Sequence, residues 1–308
     1  MIDPSLIVDL LSKNVLETGN PLGVSNEKIN NWWKETKIKS RGEWLFFTGM
    51  LYQLTPYIES LVSYLEKLEN SKIQSILKFA RYFRFLAFPT LKLVTPKRSV
   101  EESNEILKNI YSLLDSSVEV FYIPELDTYN GILLYDYGDD ESFATHAKFV
   151  VKKLKEANIK KIVTADPHTT YALKVLYPKF TDADFEVRSY LELINPKKVS
   201  KNGEFVIHDP CYYGRYLEIS DLVREKLKKT GINYKDVRYS KKLTNCCGGP
   251  IEALTPKISK AVAELRAKEL GNSKILTMCP ICLANLRRVN VDAIDISLVL
   301  CNESGRAE

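Results

Sequence analysis

The chain has 308 residues and a mass of 35.2 kDa, which is enough for two domains of ordinary size. It is 45% hydrophobic and 27% charged, so it can bury real cores and is not a disordered polymer. The net charge of +5 is too small to indicate a nucleic-acid partner, and a solvated surface of mixed charge accounts for it.

Nothing in the sequence resembles a leader or a membrane span. The N-terminal residues lack the basic stretch, apolar run and small-residue cleavage site of a secretory signal. No run of about 18 uncharged apolar residues occurs. We therefore expect a cytoplasmic protein, in which cysteine thiols stay reduced.

In chain order, the first predicted elements are helices around one buried strand. Residues 1–40 predict short helices around a turn at 19–23, and residues 45–47 predict a buried strand. Residues 54–115 predict helices, among them an aromatic and basic segment at 75–88. We expect this segment to pack on the core with its charges at the rim, and contact with a membrane surface or a partner is the alternative.

The remaining chain predicts strands that alternate with helices. The predicted strands are 118–123, 160–164, 204–208, 234–239, 274–278 and 291–296, with a closing segment at 184–194. The predicted helices are 142–157, one begun by Pro167, 214–230, 256–270, 280–288 and a short terminal helix. This alternation is typical of an α/β fold, in which helices cover both faces of a parallel sheet.

Two parts of the chain repeat each other. Ile162–Pro167 and Ile275–Pro280 are each a strand that runs into a helix begun by a proline. Two further matches pair 126–131 with 243–248 and 43–51 with 204–212. Two pseudo-repeated parallel-sheet units explain all three matches, with the helical insert 54–115 in the first unit; chance similarity of apolar strands is the alternative.

The cysteines are concentrated in the second unit. The first 210 residues contain none, and the six are Cys211, Cys246, Cys247, Cys279, Cys282 and Cys301. The first five come in three groups, each at the carboxyl end of a predicted parallel strand, where open α/β sheets build their sites. Cys301 lies in an apolar run, and we expect a small core residue there.

Two of these groups have the local structure of metal-binding or redox sites. Cys279 and Cys282 flank the start of a helix, whose positive end favours the thiolate. Alone, this spacing fits a redox disulfide as well as a metal. Cys246 and Cys247 are adjacent and converge only on an irregular turn, which Gly248 permits.

Five converging thiolates need a cation to balance their charge. Structural zinc takes four ligands, and so does a cubane iron–sulfur cluster, so either leaves one cysteine over. The set therefore predicts a larger or less regular iron–sulfur cluster, or four ligands and one reactive thiol. Reduced structural cysteines or a disulfide are the alternative.

The full spacing, Cys211-x34-Cys246-Cys247-x31-Cys279-x2-Cys282, resembles the cysteine-rich CCG domain. That domain occurs in heterodisulfide reductase catalytic subunits and in iron–sulfur subunits of glycolate, lactate and glycerol-3-phosphate oxidising complexes. The resemblance is carried by three stretches, which are His208–Arg215 (HDPCYYGR), Asn245–Pro250 (NCCGGP) and Met278–Leu286 (MCPICLANL).

The resemblance implies a cofactor and a function. The cofactor is an iron–sulfur cluster, most simply of the noncubane four-iron type, with zinc as the alternative. The implied ligands are Cys211, Cys246, Cys247, Cys279 and Cys282, and His208 is expected to be structural or to hydrogen-bond near the cluster. The implied function is electron transfer through this one cluster in a subunit of a multi-subunit oxidoreductase, heterodisulfide reductase-like or associated with a 2-hydroxyacid or glycerol-3-phosphate dehydrogenase. A zinc-binding assembly or scaffold subunit without redox function is the alternative.

The first unit departs from the pattern, because it has no cysteines. Aligned with the second unit, the ligand positions hold Met50, Tyr129, Asn130, Asp166 and Thr169. Asp166 and His168 could bind a hard metal, but polar strand-end residues are the simpler interpretation, since no third ligand is evident. We therefore expect one cluster site.

These departures set the expected domains and partners. We divide the chain into an N-terminal helical segment (1–41), a degenerate CCG-like half (42–197) and the CCG cysteine-rich domain (198–308). Residues 19–23 resemble the stretch that follows a ferredoxin-like domain in relatives, yet 1–40 hold no cysteine. We expect a separate ferredoxin-like iron–sulfur subunit, a flavoprotein subunit or both, and peripheral association with the inner face of the membrane is left open. No catalytic residue is assigned, because no nucleophile–base pair or phosphate loop is evident.

Overall fold

The computed structural model describes residues 4–68, 84–199 and 203–301. Within these ranges, eight strands form two parallel sheets of four strands each. The first sheet contains β1 (Trp44–Phe47), β2 (Val120–Phe121), β3 (Lys161–Thr164) and β4 (Glu186–Ser189), and the second contains β5 (Glu204–Ile207), β6 (Asn233–Lys235), β7 (Lys274–Thr277) and β8 (Ala293–Asp295). The predicted α/β class with two parallel-sheet units is confirmed.

The two sheets share one topology. Their strand orders are β2-β1-β3-β4 and β6-β5-β7-β8, so in each unit the first strand lies between the second and third. The register matches as well, because Leu45 pairs with Ile162 and Val206 pairs with Ile275. Leu45 and Val206 are also the residues that match when the sequence of 43–51 is aligned with that of 204–212. The repeat is therefore a structural one.

Helices cover both sheets. The longer ones are α1 (Pro4–Thr18), α2 (Leu51–Leu68), α3 (Arg84–Val94), α4 (Lys97–Asp115), α6 (Asp140–Glu156), α10 (Ser220–Thr230), α11 (Pro256–Leu270) and α12 (Pro280–Arg287). The shorter ones are α5 (Ile132–Asp136), α7 (Pro167–Tyr171), α8 (Tyr177–Phe180), α9 (Tyr190–Leu193) and α13 (Ser297–Leu300). Single π-helical turns occupy Ala172–Leu176 and Tyr212–Tyr216.

The observed elements differ from the predicted ones in several places. The strand predicted at 234–239 is the shorter β6, because Asp236 leaves the sheet to pair with Arg224. The helix predicted at 214–230 is interrupted, since Glu218 has a positive φ of 54° between the π turn and α10. The aromatic segment predicted at 75–88 lies outside the described residues up to 83. At its end, Phe88 is buried against the ring of Tyr57.

The core runs through both units. All four residues of β1 are buried, as expected for a parallel strand covered on both faces. The helix α2 of the first unit packs against α12 of the second, and the Tyr52 hydroxyl donates to Asp295 at 2.6 Å. The face of the second unit that carries α12 is therefore closed by the insert of the first. We propose that the boundary between the units lies between Leu193 and Glu204, as the predicted division at 197 implies.

None of the helices in the described ranges has the length and apolar character needed to cross a bilayer.

Candidate metal centre

The five clustered cysteines lie at one edge of the second sheet. Cys211 follows β5, the Cys246–Cys247 pair follows β6, and Cys279 and Cys282 follow β7. Because β5 lies between β6 and β7 and all three strands are parallel, their carboxyl ends are adjacent. The structure therefore brings these five cysteine side chains together at this edge, as the sequence predicted.

The five sulfurs form one continuous chain of contacts. Along that chain the order of side chains is Cys211, Cys246, Cys247, Cys282 and Cys279. Backbone N–H groups also point at two sulfurs: Gly248 donates to Cys246 Sγ at 3.3 Å, and Cys282 donates to Cys279 Sγ at 3.4 Å. Cys301 lies apart in sequence, after α13, and is partly buried at the edge of the core.

The thiols do not share charge equally. Hydrogen bonds from Cys211 and Cys247 lower the pKa of Cys246 to about 2. Burial raises the pKa of Cys279, but Cys282 and His168 outweigh it and lower the pKa to about 6. Cys246 raises the pKa of Cys211 and of Cys247, and Cys247 and Cys279 raise the pKa of Cys282. The cysteines thus oppose one another's ionisation, and a bound cation would offset that repulsion.

His208 gives an independent test of whether a metal group fits here. Its Nδ1 accepts a hydrogen bond from Arg266 Nε at 3.1 Å, so the proton of the neutral ring is assigned to Nε2. That Nε2 is buried without a hydrogen-bond partner. Ligand atoms of His208, Cys247 and Cys282 lie within 4.8 Å of one another, the one such group among the described residues. A buried histidine with a ring nitrogen that has no hydrogen-bond partner, next to two cysteine sulfurs, fits a thiolate-bound metal or cluster.

The turn that carries Cys246 and Cys247 depends on two glycines. Gly248 has φ 82°, and a Cβ there would lie 2.5 Å from the Ser259 carbonyl oxygen. A Cβ on Gly249 would lie 2.2 Å from Ile281 Cγ2. The turn is therefore pressed against α11 and α12, which keeps the paired cysteines beside Cys282.

Asp209 holds the loop that leads into this turn. Its buried carboxylate accepts two hydrogen bonds from Arg224, at 2.6 and 2.8 Å, and one from the backbone N–H of Lys241 at 2.8 Å. The Thr244 hydroxyl donates to the Asp209 carbonyl oxygen at 2.8 Å, and Arg215 donates to the Thr244 carbonyl. The motif residues Asp209 and Arg215 therefore position the loop.

In the first unit, the equivalent positions are filled by side chains that bond to one another. Asn130 Nδ2 donates to Thr169 Oγ1 at 2.7 Å, and Thr169 Oγ1 donates to Asp166. The Tyr129 hydroxyl accepts from the backbone of α5, and Met50 is fully buried. Side chains that hydrogen-bond and pack in the first unit thus stand where the second unit has its cysteine side chains.

Sequence reasoning missed two contacts of the cysteine set. Arg266 resembles a surface charge on an amphipathic helix, yet it is 1% exposed and bonds to His208, Glu269 and Thr244. His168 of the first unit reaches Cys279 across the two units, with Nδ1 3.7 Å from Sγ. No sequence signal locates either contact, because both depend on how distant segments pack.

Comparison with known proteins agrees with this geometry. Residues 205–287 match the family described as the cysteine-rich domain, CCG. A probable membrane-anchored ferredoxin of Chromohalobacter salexigens is 29% identical over 171 residues, which are 49% of this chain and 25% of that protein. The probable iron-sulfur-binding oxidoreductase FadF of Bacillus subtilis is 29% identical over 165 residues, 48% of this chain and 23% of that protein.

A third relative is a subunit of the dihydromethanophenazine:CoB--CoM heterodisulfide reductase of Methanosarcina mazei. It is 31% identical over 156 residues, which are 46% of this chain and 38% of that protein. The chain thus spans less than two fifths of the length of each of these relatives. The match to the CCG model at 205–287 agrees with the motifs that the sequence showed, and the relatives include a probable iron-sulfur-binding oxidoreductase and a heterodisulfide reductase subunit.

Proposed function

We propose that the chain is the iron–sulfur redox subunit of a multi-subunit oxidoreductase and transfers electrons through one cluster. The ligands in this proposal are Cys211, Cys246, Cys247, Cys279 and Cys282. The observation that carries it is the unbroken chain of five sulfurs beside the partnerless Nε2 of His208. When bound, such a cluster supplies one-electron chemistry at a site that the protein otherwise keeps largely buried.

The number of sulfurs favours a cluster over zinc. Zinc would use four ligands and leave a fifth thiol crowded against them. A noncubane four-iron cluster accommodates five. The protein's own part is to position the sulfurs, through the Gly248–Gly249 turn and the start of α12, and to shield Cys247, Cys279 and Cys282 from solvent. If the chain instead binds zinc and acts as a scaffold subunit, this proposal is wrong.

The proposed setting is a complex. A heterodisulfide reductase subunit is among the relatives, and another is named an EtfAB:quinone oxidoreductase. The described residues show one sulfur site, which handles one electron at a time, so a two-electron substrate needs another centre. We propose a separate ferredoxin-like or flavoprotein subunit as the partner. We also propose peripheral membrane association, because one relative is a probable membrane-anchored ferredoxin.

Metal analysis of anaerobically purified protein tests the proposal. We expect iron and sulfide, broad visible absorption and little zinc. Cys279→Ser should abolish or sharply reduce the iron, whereas Cys301→Ser, the matched cysteine outside the set, should leave it unchanged. A colourless zinc protein, or equal iron in wild type and Cys279→Ser, would overturn the assignment.

A further inference from the structure

The half of the protein without cysteines contributes one side chain to the cysteine set. His168 follows Pro167 in α7 of the first unit, and its Nδ1 lies 3.7 Å from Cys279 Sγ in the second. The two residues are 111 positions apart in the chain, and both side chains are almost fully buried. The contact therefore exists only because the two units pack with their strand ends together.

The imidazole of His168 is held from several sides. Its Nδ1 lies 3.6 Å from Asp166 Oδ1, and its backbone N–H donates to the same oxygen at 2.8 Å. The ring of Tyr212 meets it edge to face at 4.7 Å, and the Tyr212 hydroxyl donates to Asp136 at 2.5 Å. The side chain is thus fixed against Cys279 and has little freedom to turn away.

The neighbours of Nδ1 determine its chemical role. One is a carboxylate oxygen and the other a cysteine sulfur, and both can accept a hydrogen bond, so the ring proton is assigned to Nδ1. An N–H directed at a ligand sulfur draws electron density from it, and this favours the more negative, reduced state of a cluster. Hydrogen bonds to ligating groups are a general means by which a protein tunes a metal centre.

We propose that His168 is a positioning residue of the electron-transfer site, donating from Nδ1 to Cys279 Sγ and stabilising the reduced cluster. The proposal rests on the proposed function, because it presumes that the five cysteines hold a redox-active cluster. It gives the degenerate half a role: Asp166 occupies a former ligand position and orients the histidine. In the repeat, the position equivalent to His168 is Ile281, which packs against Gly249.

Two isosteric variants isolate the hydrogen bond from packing. Asn places its Nδ2 where His has Nδ1, whereas Leu has the same shape as Asn and no donor. His168→Leu should therefore lose the stabilisation of the reduced cluster, and His168→Asn should retain most of that stabilisation. His146→Leu is the control, because His146 is a buried histidine of the same unit that bonds to the Tyr129 carbonyl instead. His168→Phe, which keeps a ring beside Tyr212, replaces the Leu variant if that variant does not load iron.

The measurement is a potentiometric titration of the anaerobic, cluster-loaded protein, followed by visible absorption and electron paramagnetic resonance. At a fixed ambient potential, we expect the ratio of reduced to oxidised cluster to fall about tenfold in His168→Leu, which is 59 mV for a one-electron couple. His168→Asn and His146→Leu should stay close to wild type. An iron-loaded His168→Leu or His168→Phe protein with the wild-type potential would overturn this inference alone. A protein that binds only zinc would overturn the proposed function and this inference with it.

Discussion

Asp166 and Cys279 occupy equivalent places in the two units. Each follows the third strand of its sheet, and each side chain caps the helix that begins at the next proline. Asp166 accepts from the backbone N–H groups of His168 and Thr169, and Cys279 accepts from that of Cys282. The carboxylate of Asp166 thus makes the same helix cap in the first unit that the sulfur of Cys279 makes in the second.

Removing this cap should destabilise the first unit. We expect Asp166→Ala to lower the free energy of unfolding by about 1–2 kcal/mol, since it removes the acceptor of two backbone N–H groups at a helix start. Asp166→Asn, which keeps an acceptor oxygen, should lower the free energy of unfolding by less. Urea unfolding followed by circular dichroism measures both. Asp184→Ala, at an exposed position, is the control, and equal stability of Asp166→Ala and the control would contradict the role of the cap.

Local patterns predicted much of the fold, because a strand followed by a proline-started helix has a strong sequence signature. The ends of β3 and β7 and the start of α12 follow from it directly. The convergence of the cysteines also followed, since parallel strands bring their carboxyl ends to one edge. The contacts of Arg266 and His168 could not be predicted, because they are set by packing between segments far apart in the chain.

The Gly248 turn should be sensitive to a single methyl group. Gly248→Ala adds a Cβ 2.5 Å from a backbone oxygen at φ 82°, so the turn must shift and Cys246 and Cys247 with it. We expect the bound iron to fall severalfold. Gly231→Ala is a matched control, because Gly231 has φ 80° but nothing within 4 Å of the added atom. It should keep its iron and lose about 1 kcal/mol of stability. Equal iron in both variants would show that crowding at Gly248 does not shape the site.

Two glutamates in a cleft beside α12 should make stability fall as the pH rises. The cleft has a volume of about 340 Å³. Burial raises the pKa of Glu252 to about 8, with Glu59 adding to the effect, and burial raises the pKa of Glu59 to about 7. Unfolded glutamates titrate near 4.5, so between pH 4.5 and 8 the folded state binds more protons than the unfolded state.

Replacing one of these two glutamates by a neutral residue should remove part of the dependence of stability on pH. We expect Glu252→Gln to be more stable than wild type at pH 8.5, by on the order of 1 kcal/mol, and similar to it at pH 5. Denaturant unfolding of the protein as purified, at both pH values, gives the comparison. Glu101→Gln changes an exposed carboxyl and should match wild type at both. The stability difference between Glu252→Gln and wild type should therefore grow from pH 5 to pH 8.5. If the variant instead loses stability relative to wild type over that range, the argument is wrong.

The protein should hold no more than one cluster. The ligand positions of the first unit carry Met50, Tyr129, Asn130, Asp166 and Thr169, and the structure fills their space with mutual hydrogen bonds and packing. We expect at most about four irons per chain for a four-iron cluster, by iron and sulfide analysis after anaerobic reconstitution. Roughly eight ordered irons per chain would contradict this expectation.

The isolated chain should be a poor catalyst. One cluster stores an electron, but a two-electron substrate needs a second electron from a nearby centre, and the sequence has one cysteine, Cys301, beyond the five. We therefore expect a separate iron–sulfur or flavin subunit to co-purify with the tagged chain from its native source. Adding the tagged chain to lysate only after cell breakage controls for adventitious capture. Little turnover with artificial electron donors is expected from the chain alone, because electrons then arrive singly and only by collision. Full turnover of a two-electron substrate by the cluster-loaded chain without any partner would contradict a role as one subunit of a larger complex.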